Sequence, residues 1–306
     1  MASHSIVVGD CLDVLGEMEP DSVDSIVTDP PYGLAFMNKK WDQQVPGPEY
    51  WSAALRVAKP RSFLLAFGGS RTYHRLACAI EDAGWSIEDQ IIWIRGNGRP
   101  PAKNRLRPGH DPIVMACKRQ GSAGPLRIDD CRIPSKITIR RDGEGPSGRW
   151  PSNVVHDGSE EVRAIFPESP NRGWKMRFYE SKEPKRVAYG KGFYRSSVLH
   201  ETTGSTSRYF YSIQASASDR DEGVTIEDGN PHPTVKPTAL MAYLTRLVTP
   251  PNGLCLDPFA GSGSTGKACV REGFSFIGIE IDPFYAGIAR QRIEHEKAKR
   301  PLFDPK

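Results

Sequence analysis

The sequence predicts an α/β fold, a sheet with helices on both faces, from three observations. Short and nearly continuous apolar runs alternate with segments of helical spacing over about residues 1–118. The same alternation returns over about residues 231–306. A glycine-rich turn joins a strand to a helix in this second part, as in nucleotide-binding α/β domains. Apolar runs of this kind are typical of strands that are buried on both faces of a largely parallel sheet.

The elements follow from the spacing of apolar residues and from proline and glycine stops. In the first part we predict strands at residues 5–8, 23–28, 62–67, 91–94 and 113–117, and helices at 11–18, 49–58 and 71–83. In the second part we predict strands at 253–256 and 276–279, and helices at 238–248, from the glycine turn to 271, and at 283–297. Pro283 at the first turn supports the start of the last helix.

The region between these parts, about residues 119–230, loses the alternation and is rich in Gly, Pro, Ser and Arg. An unstructured loop of this length inside one domain would be unusual. We therefore predict an inserted recognition region at 119–230, which separates a first part of the core at 1–118 from a second part at 231–306.

Composition excludes several classes of protein. The chain has 306 residues, 38% of them hydrophobic and 25% charged, which suits one large domain or a core with one insertion. We expect no membrane segment, because no apolar run approaches about 20 residues, and no signal peptide, because Asp10 interrupts the first apolar stretch. The six cysteines form no CxxC pair, so we expect no metal site and no disulfide framework, and a reduced, cytoplasmic location.

Charge is distributed unevenly. Residues 95–208 hold 23 Lys and Arg against 12 Asp and Glu, a balance of +11, whereas the whole chain carries +4. A basic block on an acidic body favours a polyanionic partner, because each cation that meets a phosphate releases a counterion. A well-solvated, arginine-rich loop region is the alternative.

The glycine turn, residues 257–266, contains Gly261, Gly263 and Gly266 in a GxGxxG pattern. Glu280 ends the next predicted strand, where a carboxylate can accept hydrogen bonds from two ribose hydroxyls. Asp257 precedes the glycines, and its carboxylate would repel a pyrophosphate but suits an ammonium group. The pattern predicts a nucleoside cofactor, and a dinucleotide remains the alternative.

A second motif, Asp29-Pro30-Pro31-Tyr32, follows the predicted strand at 23–28 and is called the DPPY turn below. The carboxylate and the Pro30 carbonyl can each accept one N–H bond of an exocyclic amino group, which leaves the nitrogen lone pair free to attack a methyl group. The prolines fix φ and remove competing N–H donors, and Tyr32 offers a ring for an extruded base. A proline-stiffened surface turn is the alternative.

With both motifs present, the chain resembles the amino-group DNA methyltransferases, which methylate adenine N6 or cytosine N4. The DPPY turn resembles their catalytic motif, and residues 257–265 resemble their cofactor loop. The order, with the catalytic motif first and a variable region between, matches the permuted β subclass. The resemblance implies a Rossmann-like S-adenosylmethionine-dependent methyltransferase fold. Its mixed seven-stranded sheet would run 3-2-1-4-5-7-6 with strand 7 antiparallel, so that both motifs share one edge.

The resemblance also implies the site residues. Asp29, Pro30, Pro31 and Tyr32 would be catalytic. Asp10 and Cys11 would lie beside the cofactor adenine, and Thr234 and Lys236 would meet its methionine carboxylate. The full cofactor set is Asp10, Cys11, Asp29, Thr234, Lys236, Asp257, Phe259, Gly261, Ser262, Gly263, Ser264, Thr265, Glu280 and Ile281.

The expected partner is double-stranded DNA. Residues 171–195 interleave eight Lys and Arg with six aromatic residues, a composition that suits phosphate contacts, base contacts and stacking. The residues predicted to contact DNA are Arg105, Arg107, Arg172, Lys175, Arg177, Lys185, Arg186, Lys191 and Arg195. Similarity to the subclass implies a homodimer and a bacterial or phage-encoded protein.

The target is predicted to be adenine N6 in a specific sequence. No Pro-Cys pair is present, which argues against cytosine C5 chemistry and its cysteine nucleophile. Asp in the first motif position favours adenine by family resemblance, with cytosine N4 as the alternative. An RNA or protein methyltransferase, and a DNA-binding protein without chemistry, are the less favoured hypotheses.

Overall fold

A computed structural model describes residues 2–35, 40–96, 103–134, 148–169, 204–213 and 216–299. Its strands are β1 His4–Val8, β2 Val23–Thr28, β3 Ala58–Phe67, β4 Ser86–Ile94, β5 His110–Cys117, β6 Val154–His156, β7 Glu168–Ser169, β8 Gly204–Ser205, β9 Tyr211–Ser212, β10 Leu254–Asp257 and β11 Ser275–Glu280. Its helices are α1 Cys11–Glu17, α2 Pro48–Val57, α3 Tyr73–Asp82, α4 Glu160–Arg163, α5 Thr238–Val248, α6 Ser264–Glu272 and α7 Pro283–Ala298.

The main sheet has the order β1-β11-β10-β2-β3-β5-β4-β6-β9. All adjacent pairs are parallel except the two that involve β5. The first seven strands of this order correspond to the predicted 3-2-1-4-5-7-6 sheet with its antiparallel strand. The α/β class, the permuted order and the neighbouring positions of β10 and β2 are therefore confirmed.

The expected count of seven strands was too low. The short strands β6 and β9 come from within residues 119–230 and extend the sheet beyond β4 to nine strands. Both are too short to show a period-2 pattern in the sequence. β6 pairs with the edge of β4, which offers unpaired backbone groups, and β9 pairs in turn with β6. A separate antiparallel pair, β7 with β8, lies in the same region.

Three predicted strands start several residues too late, and one of them is β5, which begins at His110 rather than at residue 113. β4 begins at Ser86 rather than at residue 91, because four of residues 86–90 are polar, none of the five is buried, and the apolar signal is therefore weak. β3 begins at Ala58, before Pro60, and its pairing with β2 shifts register between Val23 and Ser25. Proline is tolerated at such an irregularity because no ladder hydrogen bond is lost there.

Helices cover both faces of the sheet, as predicted. On one face, α1, α2 and α3 pack through a cluster that includes Leu15, Trp51 and Ile80. On the other, α5 and its neighbours pack through a cluster that includes Phe67 and Leu240. None of the described helices is long and apolar enough to cross a membrane.

The end of the predicted insertion is built into this second face. Residues 216–230 pack against α6 and α7, where a Cβ atom added at Gly223 would lie 2.6 Å from His295 Cβ. The buried Lys267 of α6 forms an ion pair of 3.0 Å with Asp219. Residues 216–230 therefore pack on the second part of the core. The predicted boundary at residue 230, between the inserted region and this part of the core, stays a prediction.

Candidate active site

The two sequence motifs meet at the carboxyl ends of β2 and β10. Ile26 and Leu256 are partners in the parallel pairing of these strands. Beyond them, Thr28 Oγ1 donates a hydrogen bond of 2.6 Å to Asp257 Oδ1, and Thr265 Oγ1 donates one of 2.5 Å to Oδ2. One buried carboxylate thus joins the strand before the DPPY turn to the first turn of α6.

Asp257 is 2% exposed, and burial raises its pKa to about 6 against the opposing effect of the bonds from Thr265 and Thr28. The Phe259 N–H also donates to Oδ1, at 3.1 Å. Both oxygens therefore already have protein donors. An ammonium group of a cofactor, as predicted from the sequence, would have to share this carboxylate with Thr28 and Thr265.

Asp29 lies at the centre of a second hydrogen-bonded group. The Tyr32 hydroxyl donates to Asp29 Oδ1 at 2.8 Å. Lys236 Nζ donates to Oδ2 at 2.6 Å and to the Tyr32 hydroxyl oxygen at 3.0 Å. The ammonium group also lies 4.9 Å from the centre of the Phe67 ring and 5.2 Å from that of Tyr32. Lys236, predicted to meet the cofactor carboxylate, therefore contacts the DPPY turn itself.

The electrostatics of this group follow from burial and from its charges. Burial raises the pKa of Asp29, and the charge and hydrogen bond of Lys236 oppose that rise. Burial also raises the pKa of Tyr32 well above its usual value, and the negative charge of Asp29 adds to the effect. Tyr32 consequently stays protonated near neutral pH and can act as a donor.

The backbone of the DPPY turn is held by residues that no sequence motif indicates. Asp42 Oδ1 accepts hydrogen bonds from the N–H groups of Tyr32, at 2.7 Å, and Gly33, at 3.0 Å. Thr72 Oγ1 donates to the Tyr32 carbonyl at 2.7 Å. Pro30 is buried and Pro31 is half-buried. These contacts fix the direction of the Tyr32 ring relative to Asp29.

The glycine turn uses its glycines for two purposes. Gly261 and Gly263 have φ values of +52° and +80°, which favour glycine. A Cβ atom at Gly263 would lie 2.8 Å from Ala289 Cβ, and one at Gly266 would lie 2.8 Å from Phe276 Cε1. Gly263 and Gly266 therefore permit the close packing of α6 on its neighbours.

Gly261, in contrast, faces the side chain of His232, whose Nε2 would lie 3.0 Å from an added Cβ atom. The His232 ring stacks on Trp41 and meets Tyr285 edge-on, with a centroid distance of 4.7 Å to the latter. His232 thus lies against the glycine turn, with Trp41 and Tyr285 packed on its ring, and none of the three was among the predicted site residues. Thr234 lies next to them, and its N–H is 3.4 Å from His232 Nδ1.

Glu280 ends β11, as predicted, and lies against the glycine turn. Its Oε2 accepts a hydrogen bond of 2.8 Å from the Gly261 N–H, and its Oε1 accepts one of 2.9 Å from the Asp282 N–H. Burial raises its pKa. Each carboxylate oxygen can accept a second bond, so both remain suitable acceptors for ribose hydroxyls. The neighbouring Ile281 is 61% exposed and offers an apolar surface beside them.

Asp10 and Cys11 follow the end of β1, and Phe259 follows the end of β10, at the same edge of the sheet. Asp10 caps α1 by accepting a hydrogen bond of 2.8 Å from the Leu12 N–H. Burial, with the charge of Asp10, raises the pKa of the Cys11 thiol to about 12, so it stays protonated. The Phe259 ring lies 6.1 Å from Tyr50 of α2. Tyr50 was not predicted, because its spacing in α2 matches that of an ordinary helix face.

The remaining residues of the predicted cofactor loop face the protein interior. Arg292 of α7 is fully buried, and its Nη1 donates to the Ser262 carbonyl at 2.6 Å and lies 3.3 Å from Ser264 Oγ. Its Nη2 donates to the Asp219 carbonyl at 3.1 Å. Asp219 Oδ2 accepts a bond of 2.7 Å from the Thr238 N–H at the start of α5. One buried network thus holds the glycine turn and the segment that follows Lys236.

Two of the residues predicted to contact DNA are described. Arg105 and Arg107 are exposed and lie between β4 and β5. The other seven, Arg172, Lys175, Arg177, Lys185, Arg186, Lys191 and Arg195, lie outside the described residues. Over the described part of the chain, no group of three His, Cys, Asp or Glu side chains is arranged to hold a metal ion.

Solved structures with this fold include a complex with SAM and a DNA methyltransferase. The M1.HpyAVI–SAM complex superposes with a TM-score of 0.53 at 21% identity, covering 94% of this chain and 99% of that one. The cytosine-N4-specific PvuII DNA methyltransferase superposes with a TM-score of 0.60 at 17% identity, covering 95% and 86%.

Sequence relatives cover nearly the whole chain. The Type II methyltransferase M.SfiI of Streptomyces fimbriatus is 22% identical, over 93% of this chain and 91% of its own length. The Type II methyltransferase M.HpaI of Haemophilus parainfluenzae is 23% identical, over 95% and 74%. The family model for N6/N4 DNA methylases matches residues 23–291, from β2 and the DPPY turn through the glycine turn into α7. The chain therefore belongs to the N6/N4 DNA methylase family.

Proposed function

We propose that the protein transfers a methyl group from S-adenosylmethionine to the exocyclic N6 of a flipped adenine at a specific sequence in duplex DNA. One observation carries the proposal. Asp29, at the end of β2, lies beside the glycine turn at the end of β10, and the bond between Thr28 and Asp257 joins the two. A base held at Asp29 and a nucleoside held at the glycine turn would share one edge of the sheet.

The residues present fit S-adenosylmethionine better than a phosphate-containing cofactor. Asp257, the first residue of the glycine turn, carries a carboxylate that would repel a pyrophosphate. The Glu280 oxygens suit ribose hydroxyls, and Phe259 and Ile281 supply apolar surface. When bound, the sulfonium supplies an electrophilic methyl group.

Asp29 would orient the target nitrogen by accepting one of its N–H bonds. The carboxylate directs the nitrogen lone pair away from the ring, toward the methyl group. Once it carries the methyl group, the amino nitrogen would be positively charged and would have to lose a proton. The buried carboxylate of Asp29, with its raised pKa, is a suitable first acceptor for that proton.

Sequence specificity would come from residues 119–230, which carry most of the basic block. Arg105 and Arg107, exposed between β4 and β5, would contact the phosphate backbone. We expect the protein to act as a homodimer in the cytoplasm, which light scattering of the purified protein and cell fractionation would test.

The alternative target is cytosine N4. It is favoured by the PvuII enzyme, a structural relative that is cytosine-N4-specific. Asp29 can accept an N–H bond from either amino group, so its geometry suits both bases.

Sequencing of DNA from cells that express the protein would test the proposal. We expect N6-methyladenine at one short sequence and no modification when Asp29→Asn is expressed. N4-methylcytosine would establish the alternative. Absence of both, together with tight binding of S-adenosylmethionine by the purified protein, would favour a DNA-binding protein without chemistry. Labelled methyl transfer into RNA or protein would favour those substrates instead.

A further inference from the structure

A second charged pair, Arg95 with Asp111, lies at the same edge of the sheet as Asp29. Asp111 is in β5, opposite Trp93 of β4. Ile113 pairs with Phe67 at the end of β3, so Asp111 lies level with the turn that follows Phe67. In that turn the Gly68 N–H donates to the Pro112 carbonyl at 2.8 Å.

This turn is also in contact with the DPPY turn. A Cβ atom added at Gly69 would lie 3.2 Å from Tyr32 Cδ2. The turn after β3 therefore contacts Tyr32 and lies level with Asp111 in the sheet.

The pair also lies on the same face of the sheet as Lys236. Phe67, Trp93 and Ile113 belong to one core cluster on this face. Side chains alternate along a strand, so Asp111, two residues before Ile113, and Arg95, two residues after Trp93, lie on that face as well. The ammonium of Lys236 lies over the ring of Phe67 there.

The Arg95–Asp111 pair is largely buried, and its charges affect the pKa values of Tyr32 and Asp29 in the DPPY turn. Arg95 Nε and Nη2 donate to Asp111 Oδ1 at 3.3 and 3.0 Å, and the Asp111 side chain is only 8% exposed. Burial is the main cause of the raised pKa of Tyr32; Asp111 adds to the rise and Arg95 opposes it. The charge of Asp111 also contributes to raising the pKa of Asp29.

We propose that Arg95, oriented by Asp111, binds the ring nitrogen that neighbours the target amino group of the flipped base. The proposal rests on the proposed function and adds a specificity determinant to it. The guanidinium has five N–H donors, and the two bonds to Asp111 Oδ1 leave others for a ligand.

Asp29 and Arg95 together match the edge of an amino base. Asp29 accepts from the amino group, and Arg95 donates to adenine N1 or cytosine N3, which are both acceptors. Thymine and guanine present the opposite order, with a carbonyl oxygen toward Asp29 and a ring N–H toward Arg95. A keto base would therefore place its carbonyl oxygen against the Asp29 carboxylate and its ring N–H against the Arg95 N–H groups, so that neither group gains a hydrogen bond, which is how a polar site rejects a wrong substrate.

A deaza substitution tests this contact directly. The probe is the cognate duplex whose target base carries C–H in place of that ring nitrogen, 1-deazaadenine or 3-deazacytosine. We expect wild-type kcat/KM to fall about 10- to 100-fold on the probe, as for loss of a hydrogen bond to a charged group. The kcat/KM of Arg95→Met on the natural duplex should be lower than that of wild type by a similar factor. For this variant, replacing the natural duplex with the probe should lower kcat/KM by no more than about twofold, because the contact is already absent.

Two results would overturn the inference. One is a wild-type kcat/KM of Arg95→Met on the natural duplex. The other is a fall of about 10- to 100-fold in the kcat/KM of Arg95→Met when the probe replaces the natural duplex. Arg246→Met is the matched control, because it removes another half-buried arginine–carboxylate pair, Arg246 of α5 with Glu272 of α6, outside the basic block. It should retain wild-type values on both duplexes.

Binding supplies a readout that does not depend on activity. A duplex with an abasic target site should bind wild type and Arg95→Met equally, whereas the natural duplex should bind the variant more weakly. Arg95→Lys keeps the charge but not the planar guanidinium, so its affinity for the natural duplex should fall by an intermediate factor. This variant replaces Arg95→Met in the experiment if the Met variant does not fold. Failure of the proposed function would appear as no transfer by wild type to any duplex, which is distinct from an unaltered Arg95 variant.

Discussion

Lys236 and Asp29 are 207 positions apart in the chain and form an ion pair of 2.6 Å. The pair joins the segment before α5 to the end of β2, and the Tyr32 hydroxyl closes the group by bonding to both side chains. The sequence predicted Lys236 as a partner of the cofactor carboxylate. We expect this contact to give the lysine a further role, which is to keep the Asp29 carboxylate ionised and oriented.

Lys236→Met is expected to shift the pH profile of kcat/KM. Lys236 lowers the pKa of Asp29 against the larger effect of burial, so removing the lysine raises that pKa. Because the ionised carboxylate accepts the amino N–H, activity should fall at neutral pH and recover as the pH increases. The acid limb of the profile should therefore move to higher pH.

Lys59→Met is the control for this variant, since Lys59 forms a surface ion pair with Asp24 at a similar distance. Its profile should match that of wild type. If Lys236→Met instead raises the Kd of S-adenosylmethionine strongly and leaves the acid limb in place, the role predicted from the sequence is the correct one.

Asp257→Asn is expected to change the pH dependence of stability. The pKa of Asp257 is about 6 in the folded protein, against 3.8 as the ordinary value. The folded state thus binds the proton more tightly than the unfolded chain. This stabilising contribution is fully present below about pH 4 and is lost as the pH rises through about 6, and for two pKa units it amounts to about 3 kcal/mol.

Urea unfolding of wild type and Asp257→Asn between these pH values would measure the difference. The free energy of unfolding of wild type should decrease relative to that of the variant as the pH rises. A difference that is constant with pH would contradict the buried, protonatable state of Asp257.

Gly263→Ala is expected to destabilise the fold. The residue has φ +80°, and the new Cβ atom would lie 2.9 Å from the backbone of Ala289. Overpacking together with backbone strain should cost about 1–3 kcal/mol, measured as the free energy of unfolding.

Gly287→Ala in α7 is the matched control, because nothing lies within 4 Å of its added Cβ atom. This change should stabilise the protein by up to about 1 kcal/mol through helix propensity. Equal effects of the two substitutions would show that packing between α6 and α7 does not require glycine at position 263.

Arg292→Met is expected to weaken cofactor binding from a distance. Its guanidinium donates to the carbonyl of Ser262, a residue of the predicted cofactor set, and to the carbonyl of Asp219, so it acts on the cofactor loop from the protein interior. We expect the Kd of S-adenosylmethionine to rise about tenfold with a smaller change in kcat, because the glycine turn loses a fixed conformation. Arg292→Lys should restore part of the affinity, whereas a variant with unaltered Kd would remove Arg292 from this role.

Contiguous motifs made much of this site predictable. The DPPY turn and the glycine turn each lie within ten residues, and the buried strands before them carry clear apolar runs. Their order along the chain then determined the sheet order, through family resemblance. The short strands β6 and β9 were not predicted, because two or three residues are too few to show an alternation of apolar and polar side chains.

The supporting residues could not be predicted, for a different reason. Asp42, Thr72, Asp219 and Arg292 act through hydrogen bonds between residues that are distant in the chain, and their spacing carries no signal. Tyr50 lies in an amphipathic helix, where an aromatic residue indicates core packing as readily as a ligand site. Only the folded arrangement separates these roles.

Asp29→Asn distinguishes a role of Asp29 in methyl transfer, at an edge shared with the cofactor, from a role in cofactor binding. Labelled methyl transfer to duplex DNA and calorimetric binding of S-adenosylmethionine would be measured on the same wild-type and variant preparations. We predict that transfer falls by about 10³-fold or more, while the cofactor Kd changes by less than about tenfold. Transfer at the wild-type rate by the Asn variant would contradict the account.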